Sequence, residues 1–288
     1  MTTSDRLQHK RVLITGAARG IGAALAKRLA ERGARVAVAG LEPELLETVA
    51  REIDGPWRQV DVADRTQVDA VTSELVGELG GLDIVVANAG IARQLPIVGG
   101  DPEVMERTLA VNTLGTYYTL RAAAPHVAHP GGYLLATSSL AAAVHAPLMG
   151  AYSASKAAVE AIGNTLRWEL HGTGARVGVA YYAELDTDMT SRGFGTRAGS
   201  ALLGGRTSVT VVTPLSAAIN ALDRGIARRS RMIWAPWWIA PLLPGRMIAQ
   251  RIAELKPMPD LQRALQLARD EETDFTTAQP NSPAKEDV

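Results

Sequence analysis

The sequence predicts an α/β fold, one doubly wound parallel sheet with helices on both faces. Three observations carry that prediction. Short apolar runs alternate with longer amphipathic stretches through most of the chain, the pattern of successive βαβ units. The runs are continuously apolar rather than alternating in polarity, as strands covered on both faces are. A glycine-rich turn, Gly16 to Gly22, joins the first run to the first amphipathic stretch. Right-handed crossovers then leave a parallel sheet as the economical topology.

The elements come in order along the chain. Arg11–Thr15 reads as a buried strand and Ile21–Arg32 as a helix that Gly33 stops. Arg35–Ala39 is the second strand. Pro43–Ile53 is helical, with Pro43 suited to a first turn. A short strand Arg58–Val60, a helix Asp64–Leu79 and an apolar strand Leu82–Ala87 come next. A helix spans about Asp101–Val127, followed by a strand Tyr133–Thr137, a long helix Gly150–His171 and a strand Arg176–Tyr181. Glu184–Thr213 is rich in Gly, Ser and Thr without sustained periodicity. It reads as an excursion over the site that carries short helices. Pro214–Ala227 is helical, Arg231–Ala235 a last strand, and Leu261–Ala268 a short helix. The domains expected are a tail over 1–9, one domain over 10–255 and an extension over 256–288. Within the domain, 184–213 is the substrate loop region and 232–255 an apolar arm. From Glu271 the chain is polar, with Pro280 and Pro283, and is expected to be disordered.

Composition narrows the function classes. Thirty basic side chains balance thirty acidic ones, which argues against a general nucleic-acid binder. The chain has no cysteine, so disulfides, a thiolate nucleophile and cysteine-ligated metal are excluded. His9, His126, His129, His145 and His171 are scattered and form no helical metal pair with a carboxylate, so no metal is expected. His145 lies between Ser139 and Tyr152, where it either lines the pocket or is a partly buried loop residue. The N-terminus lacks an apolar signal, and no apolar run approaches the ~20 residues of a membrane span. A cytoplasmic location is the expectation. Trp234, Trp237, Trp238, Ile239, Leu242 and Leu243 concentrate apolar surface. A core or subunit interface is the favoured reading, then an arm over the substrate pocket. Peripheral membrane attachment through 234–247 is the third, since Arg246 and Arg251 come after the tryptophans.

In the turn Thr15-Gly16-Ala17-Ala18-Arg19-Gly20-Ile21-Gly22, Gly16 permits a tight bend and Gly20 lets the backbone approach a pyrophosphate. Gly22 allows close helix–strand packing. The helix start offers unpaired N–H groups and partial positive charge to phosphates. The plainer reading is a tight connection, but its place after the first strand of a βαβ series favours a Rossmann-type dinucleotide site.

The spacing G-x-x-x-G-x-G, together with the motifs downstream of it, resembles the short-chain dehydrogenase/reductase superfamily from about Lys10 to Ala235. The resemblance implies that Asp61, in Asp61-Val62, contacts the adenine ring and that Asn88-Ala89-Gly90 lies at the ligand-binding edge. It also implies that Asn112 shapes the site and completes the proton path. Singly, Asp61 fits a helix N-terminus, Asn88 a turn and Asn112 a helix kink; their common order speaks for the family. Tyr152 and Lys156 stand at i and i+4 on one helix face, so both can address one ligand. Exchange of hydride between NADP or NAD and an alcohol or ketone needs a group that moves a proton at oxygen. A phenol with pKa near ~10 is a poor base, but a cation at ~4 Å and effective dielectric ~20 stabilises phenolate by about 4 kcal/mol. By resemblance Tyr152 is the general acid/base, Lys156 lowers its pKa and binds the nicotinamide ribose, and Ser139, thirteen positions before the tyrosine, orients the substrate. A catalytically silent regulator or scaffold is the alternative, although such a protein would be expected to have lost one of these residues.

Two positions depart from the family. Its usual Pro-Gly after the sixth strand is Tyr182-Ala183 here, counted back from Thr187, which matches the residue that meets the nicotinamide amide. This is either a neutral replacement or a reshaped substrate wall. Where NAD-preferring members carry an acid after the second strand, this chain has Gly40-Leu41 with Glu42 one step on. That leaves room for a 2′-phosphate with Arg19 as counter-charge, favouring NADP, while Glu42 reaching back to the ribose would favour NAD. Leu140, Met149 and Tyr182 suggest an apolar substrate. The long helices around Asn112 and Tyr152 are expected, by resemblance, to pair copies into a homodimer or homotetramer.

Overall fold

The structure, a computed structural model, describes residues 6–187, 189, 196–205, 208, 210–258, 260–271 and 274–280. Seven parallel strands form one sheet: β1 (Arg11–Thr15), β2 (Arg35–Gly40), β3 (Trp57–Gln59), β4 (Ile84–Ala87), β5 (Tyr133–Thr137), β6 (Arg176–Tyr182) and β7 (Met232–Ala235). Their order is β3-β2-β1-β4-β5-β6-β7. The chain winds outward from β1 in one direction and from β4 in the other. A crevice therefore opens beyond the carboxyl ends of β1 and β4.

The apolar strands owe their composition to two cores, one on each face. On β1, Val12 and Ile14 enter one core and Leu13 the other; on β5, Tyr133 and Leu135 oppose Leu134 and Ala136. The first core is covered by α1 (Gly20–Glu31), α2 (Pro43–Ile53) and α8 (Leu215–Arg228) through Leu25, Leu29, Leu46, Leu222 and Ile226. The second is covered by α3 (Arg65–Leu79), α5 (Gly115–Val127) and α6 (Gly150–Glu169) through Leu75, Leu79, Leu120 and Val159. Each such leucine withdrawn from water contributes about 1.5–3 kcal/mol.

Most elements fall within two residues of their expected limits. The helix expected over Asp101–Val127 is three pieces: α4 (Pro102–Leu109), a π-turn at Ala110–Leu114, and α5. The strand expected from Arg58 begins at Trp57, and the one expected from Leu82 begins at Ile84. The irregular stretch carries α7 (Arg197–Leu202), whose N-cap Thr196 accepts from Gly199 N–H at 2.9 Å. Two further helices follow, α9 (Arg246–Glu254), which the sequence pattern did not announce, and α10 (Leu261–Asp270). Of the apolar arm, Ile239 and Leu243 are buried with Val179 and Tyr181, and Trp238 packs on them, as a core reading requires. Trp237 does not join them and is 79% exposed, close in sequence to the exposed Met247 and Ile248 of α9. Among the described residues no helix is long and apolar enough to cross a membrane.

The amino ends of β1 and β4 are clasped by charge. Asp83 accepts from Arg11 N–H at 2.9 Å, Arg11 Nε at 2.8 Å and Nη2 at 3.1 Å. Burial pushes the Asp83 carboxyl up, but the bonds from Arg11 and the charges of Lys10 and Arg11 outweigh it and hold the carboxyl below its ordinary value. Because the folded-state value is depressed, the stabilisation is present above the ordinary 3.8 and is lost as pH falls through the folded value. Asp83→Asn should cost about 2–3 kcal/mol at neutral pH. Urea denaturation at pH 7 and again below pH 4 checks this, because the difference from wild type should shrink in acid.

Candidate active site

The glycine turn is shaped by a close approach of two backbones. A Cβ on Gly16, where φ is +65°, would lie 2.5 Å from Ala89 Cα, and one on Gly22 would lie 2.3 Å from Gly16 O. Gly20 differs: its φ of +55° favours glycine, yet a Cβ there meets nothing within 4 Å. Gly20 also lines the cleft, so its backbone is open to a ligand there. Helix α1 starts at Gly20 without a side-chain cap, so its first N–H groups face that space with the dipole behind them. Asn88 Nδ2 donates to Gly16 O at 3.0 Å and Thr15 O at 3.3 Å, fixing the turn to the end of β4. The residues present therefore fit a dinucleotide diphosphate.

Tyr152, Ser139 and Lys156 line the same cleft, whose volume is about 330 Å³. The Ser139 hydroxyl donates to Tyr182 O at 3.3 Å and accepts from Ala141 N–H at 3.2 Å. Its neighbour Ser138 is spent on structure, donating to Lys156 O at 2.8 Å. Lys156 Nζ donates to Thr137 O at 2.9 Å and lies 5.6 Å from the Tyr152 ring centroid. Burial pushes the Lys156 amine down to about 8. Burial also pushes the Tyr152 phenol up, only partly offset by Ser139. The spacing of the two residues points to the pull of lysine on tyrosine; in the folded chain desolvation of both groups is the larger effect.

Asn112 lies in the π-turn and is wholly buried. Its Nδ2 donates to Ile91 O at 3.0 Å and Ser155 Oγ at 2.9 Å, while its Oδ1 accepts from Ile91 N–H at 2.8 Å. Both amide protons are committed, so the side chain holds the loop beyond Gly90 against α6.

Arg19 and Glu42, the two rival cofactor-selecting groups, are bonded to each other: Arg19 Nε donates to Glu42 Oε2 at 3.0 Å, and a second contact joins Nη2 to Oε1. Asp61 Oδ1 accepts from Ala63 N–H at 3.0 Å and Oδ2 from Arg107 Nη2 at 2.7 Å. Ile21, Val62, Ala89, Gly90 and Thr187 all line the cleft. At Tyr182-Ala183, β6 runs one residue further than expected: Tyr182 pairs with Ala235 of β7, and Ala183 N–H donates to Ala235 O at 3.1 Å. A proline at the first of these positions has no N–H to give a sheet. His145 is exposed and does not line the cleft; its backbone N–H is held by Gln250 Oε1 at 2.7 Å.

Several cleft residues had no local signal in the sequence. Thr276, Thr277 and Gln279 line it, although the chain from Glu271 was expected to be disordered. Over 274–280 that expectation is corrected, because Thr276 is buried and pairs in both directions with Ala92. Residues 281–288, where the disordered end was placed, lie outside the described residues. Gln94 is also buried in the wall, and Thr196 Oγ1 lies 2.6 Å from its Oε1. That hydroxyl accepts from Gly199 N–H, so its single proton goes to Gln94, which turns the Gln94 carbonyl to Thr196 and leaves its NH2 for the cleft.

The Lys156 value sets a stability test. A folded-state value lowered from 10.5 to about 8 means that burying the charged amine opposes folding below about 8, a penalty relieved as pH rises toward 10.5. Lys156→Met should therefore stabilise the chain at pH 7, by about 1–3 kcal/mol. Guanidinium denaturation at pH 7 reads it, and a destabilised variant would show that the Thr137 hydrogen bond outweighs the desolvation.

Comparison with known proteins agrees with this geometry. The family model described as short chain dehydrogenase matches residues 10–197. D-threitol dehydrogenase of Mycolicibacterium smegmatis is 36% identical over 60% of this chain and 68% of its own length. Trans-4-hydroxycyclohexanecarboxylate dehydrogenase of Sinomonas cyclohexanicum is 32% identical over 67% of this chain and 80% of its own. A solved short-chain type dehydrogenase/reductase from Mycobacterium ulcerans shares the fold, with a TM-score of 0.70 at 24% identity over 79% of this chain and 88% of that one. With the doubly wound sheet, the diphosphate-ready turn and these matches in register, the chain belongs to the short-chain dehydrogenase family, whose members are NAD(P)-dependent oxidoreductases.

Proposed function

We propose that this protein interconverts an apolar secondary alcohol and its ketone, with NADP as cofactor. The observation that carries the reading is the convergence, in one cleft, of Tyr152, Ser139, Lys156 beside the phenol ring and the uncapped start of α1. The dinucleotide, when bound, supplies or accepts the hydride. Tyr152 gives its proton to the carbonyl oxygen in reduction and takes the hydroxyl proton in oxidation. Ser139 O–H turns from its long contact with Tyr182 O to the substrate oxygen, where negative charge develops. Lys156 keeps positive charge beside the phenol and is placed to reach the nicotinamide ribose, and Asn112 holds the loop that flanks both. As the Lys156 ammonium loses its proton near 8, that support fades.

Leu140, Val144, Met149 and Leu185 give the cleft an apolar stretch, while Gln94, Glu184 and Thr210 add polar groups to its lining. The relatives' names, threitol and hydroxycyclohexanecarboxylate dehydrogenases, support a hydroxyl-bearing carbon compound. The NADP preference rests on Gly40, which offers no carboxylate to the ribose, and on Arg19 in the turn. Glu42 opposes it, because a 2′-phosphate must displace that carboxylate from Arg19. Exposed Leu114, Tyr117 and Trp168 near and on α5 and α6 support pairing of copies in a dimer or tetramer.

Two measurements test the reading. Tyr152→Phe should lower kcat for ketone reduction by at least about a hundredfold while NADPH binding, monitored by fluorescence, stays within about twofold. Turnover at the wild-type rate would remove Tyr152 as the acid/base. Gly40→Asp is sterically open, since a Cβ there makes only ordinary contacts at 3.6 Å or more. It should shift the NADPH/NADH ratio of kcat/KM toward NADH by about tenfold or more. A wild-type preference for NADH would overturn the assignment to Arg19.

A further inference from the structure

We propose that residues 275–279 form the outer wall of the adenosine half of the cleft, a part of the dinucleotide site supplied by the C-terminal extension. The proposal rests on the NAD(P) reading of the cleft and goes beyond it, because these residues lie outside the 10–197 span that the family model matches.

The segment is secured at several points. Upstream, α10 buries Ala264 and Ala268, the latter with Leu148 and with Ala198 of α7. Glu271 then accepts from Arg197 N–H at 3.0 Å and Ala198 N–H at 3.2 Å. Phe275 lies beneath the Arg93 guanidinium, 5.8 Å from its ring centroid. Thr276 N–H donates to Ala92 O at 3.1 Å, and Thr276 Oγ1 accepts from Ala92 N–H at 3.0 Å. Downstream, Arg107 acts as a bracket, its Nε donating to Gln279 Oε1 at 2.9 Å and its Nη2 to Asp61 Oδ2 at 2.7 Å. Gln279 Nε2 turns back to Thr277 O at 2.8 Å.

These contacts decide where the strap runs. Ala92 comes after the end of β4 and Asp61 after β3, so residues 276–279 bridge the two loops that flank the adenosine end of a parallel-sheet dinucleotide site. Thr276, Thr277 and Gln279 line the same cleft as the glycine turn. Within the strap the Thr276 hydroxyl oxygen accepts from Ala92 N–H deep in the wall, and the Gln279 amide is taken up by Arg107 and Thr277. The Thr277 hydroxyl carries no partner among the described residues, which makes it the polar group the strap offers to an adenine or ribose. A wall latched by a handful of hydrogen bonds must open for a nucleotide to leave, so the strap acts first on the dissociation rate.

The test measures release of NADPH and NADH by stopped-flow fluorescence from wild type and from a chain lacking residues 274–288. Circular dichroism and thermal melting confirm folding. The truncation should dissociate both cofactors about tenfold faster and raise Kd in step. ADP-ribose, which lacks the nicotinamide, should lose affinity to the same degree. Thr277→Val, which keeps the latch, should raise Kd about threefold. Should the truncation fail to fold, Thr276→Val releases the latch at one position and should accelerate release in the same direction. Unchanged release from folded variants overturns the proposal, as does tighter binding, which would make the strap an obstruction. Loss confined to the intact cofactors with ADP-ribose unaffected overturns it too. Wild-type protein that binds neither NADPH nor NADH would instead refute the reading of the cleft itself.

Discussion

The close approach of two backbones at the β1–β4 seam is the constraint on which the rest of this molecule depends. Gly16 and Gly22 lie where any Cβ would enter the space of Ala89, Gly16 O or Asn88, and Asn88 ties the turn to both Thr15 and Gly16. That contact fixes the start of α1 relative to the loop after β4. The same loop carries Gly90 and Ile91, which Asn112 clamps, and Asn112 bonds Ser155 one residue before Lys156. A phosphate-facing turn and a proton-moving phenol, separated by more than a hundred residues of chain, are thus held in register by a short path of hydrogen bonds.

Electrostatics at the site works against stability. Lys156 is almost wholly buried with one carbonyl partner, and Tyr152 is desolvated beside it. Burial disfavours the charged form of each group, drawing the amine down and the phenol up, so the pair is costly to ionise in the folded chain. The surrounding cores carry the cost, through strands whose side chains are divided between two layers of helices.

How much of this was readable from residues alone depended on whether the signal was local. The strands showed themselves because both faces are covered, and α2 was legible to the residue because Pro43 opens it. The Tyr152–Lys156 pair and the glycine turn were visible because their function needs fixed short spacing. Contacts between distant segments left no such trace. Nothing near Thr276 announces Ala92, and nothing near Gln94 announces Thr196, so a polar, proline-containing tail read as disorder. Arg19 and Glu42 were each noticed, but that they neutralise one another is a fact of folding. The π-turn was hidden for a different reason: its residues, Ala110–Leu114, have nothing that a regular helix would refuse.

That turn carries one residue more than a regular helix would allot to the same rise. It behaves as an insertion absorbed in place rather than looped out. Each residue of an α-helix advances the azimuth by about 100°. Excising a single amino acid here would restore a smooth rod with everything downstream facing nearly as before, and only the residues inside the turn would be reoriented. Leu120 and Ala123 would keep the core they now fill, while Asn112 would aim elsewhere. The irregularity lets Asn112 be aimed at the loop after β4 without disturbing the face that α5 gives to the sheet.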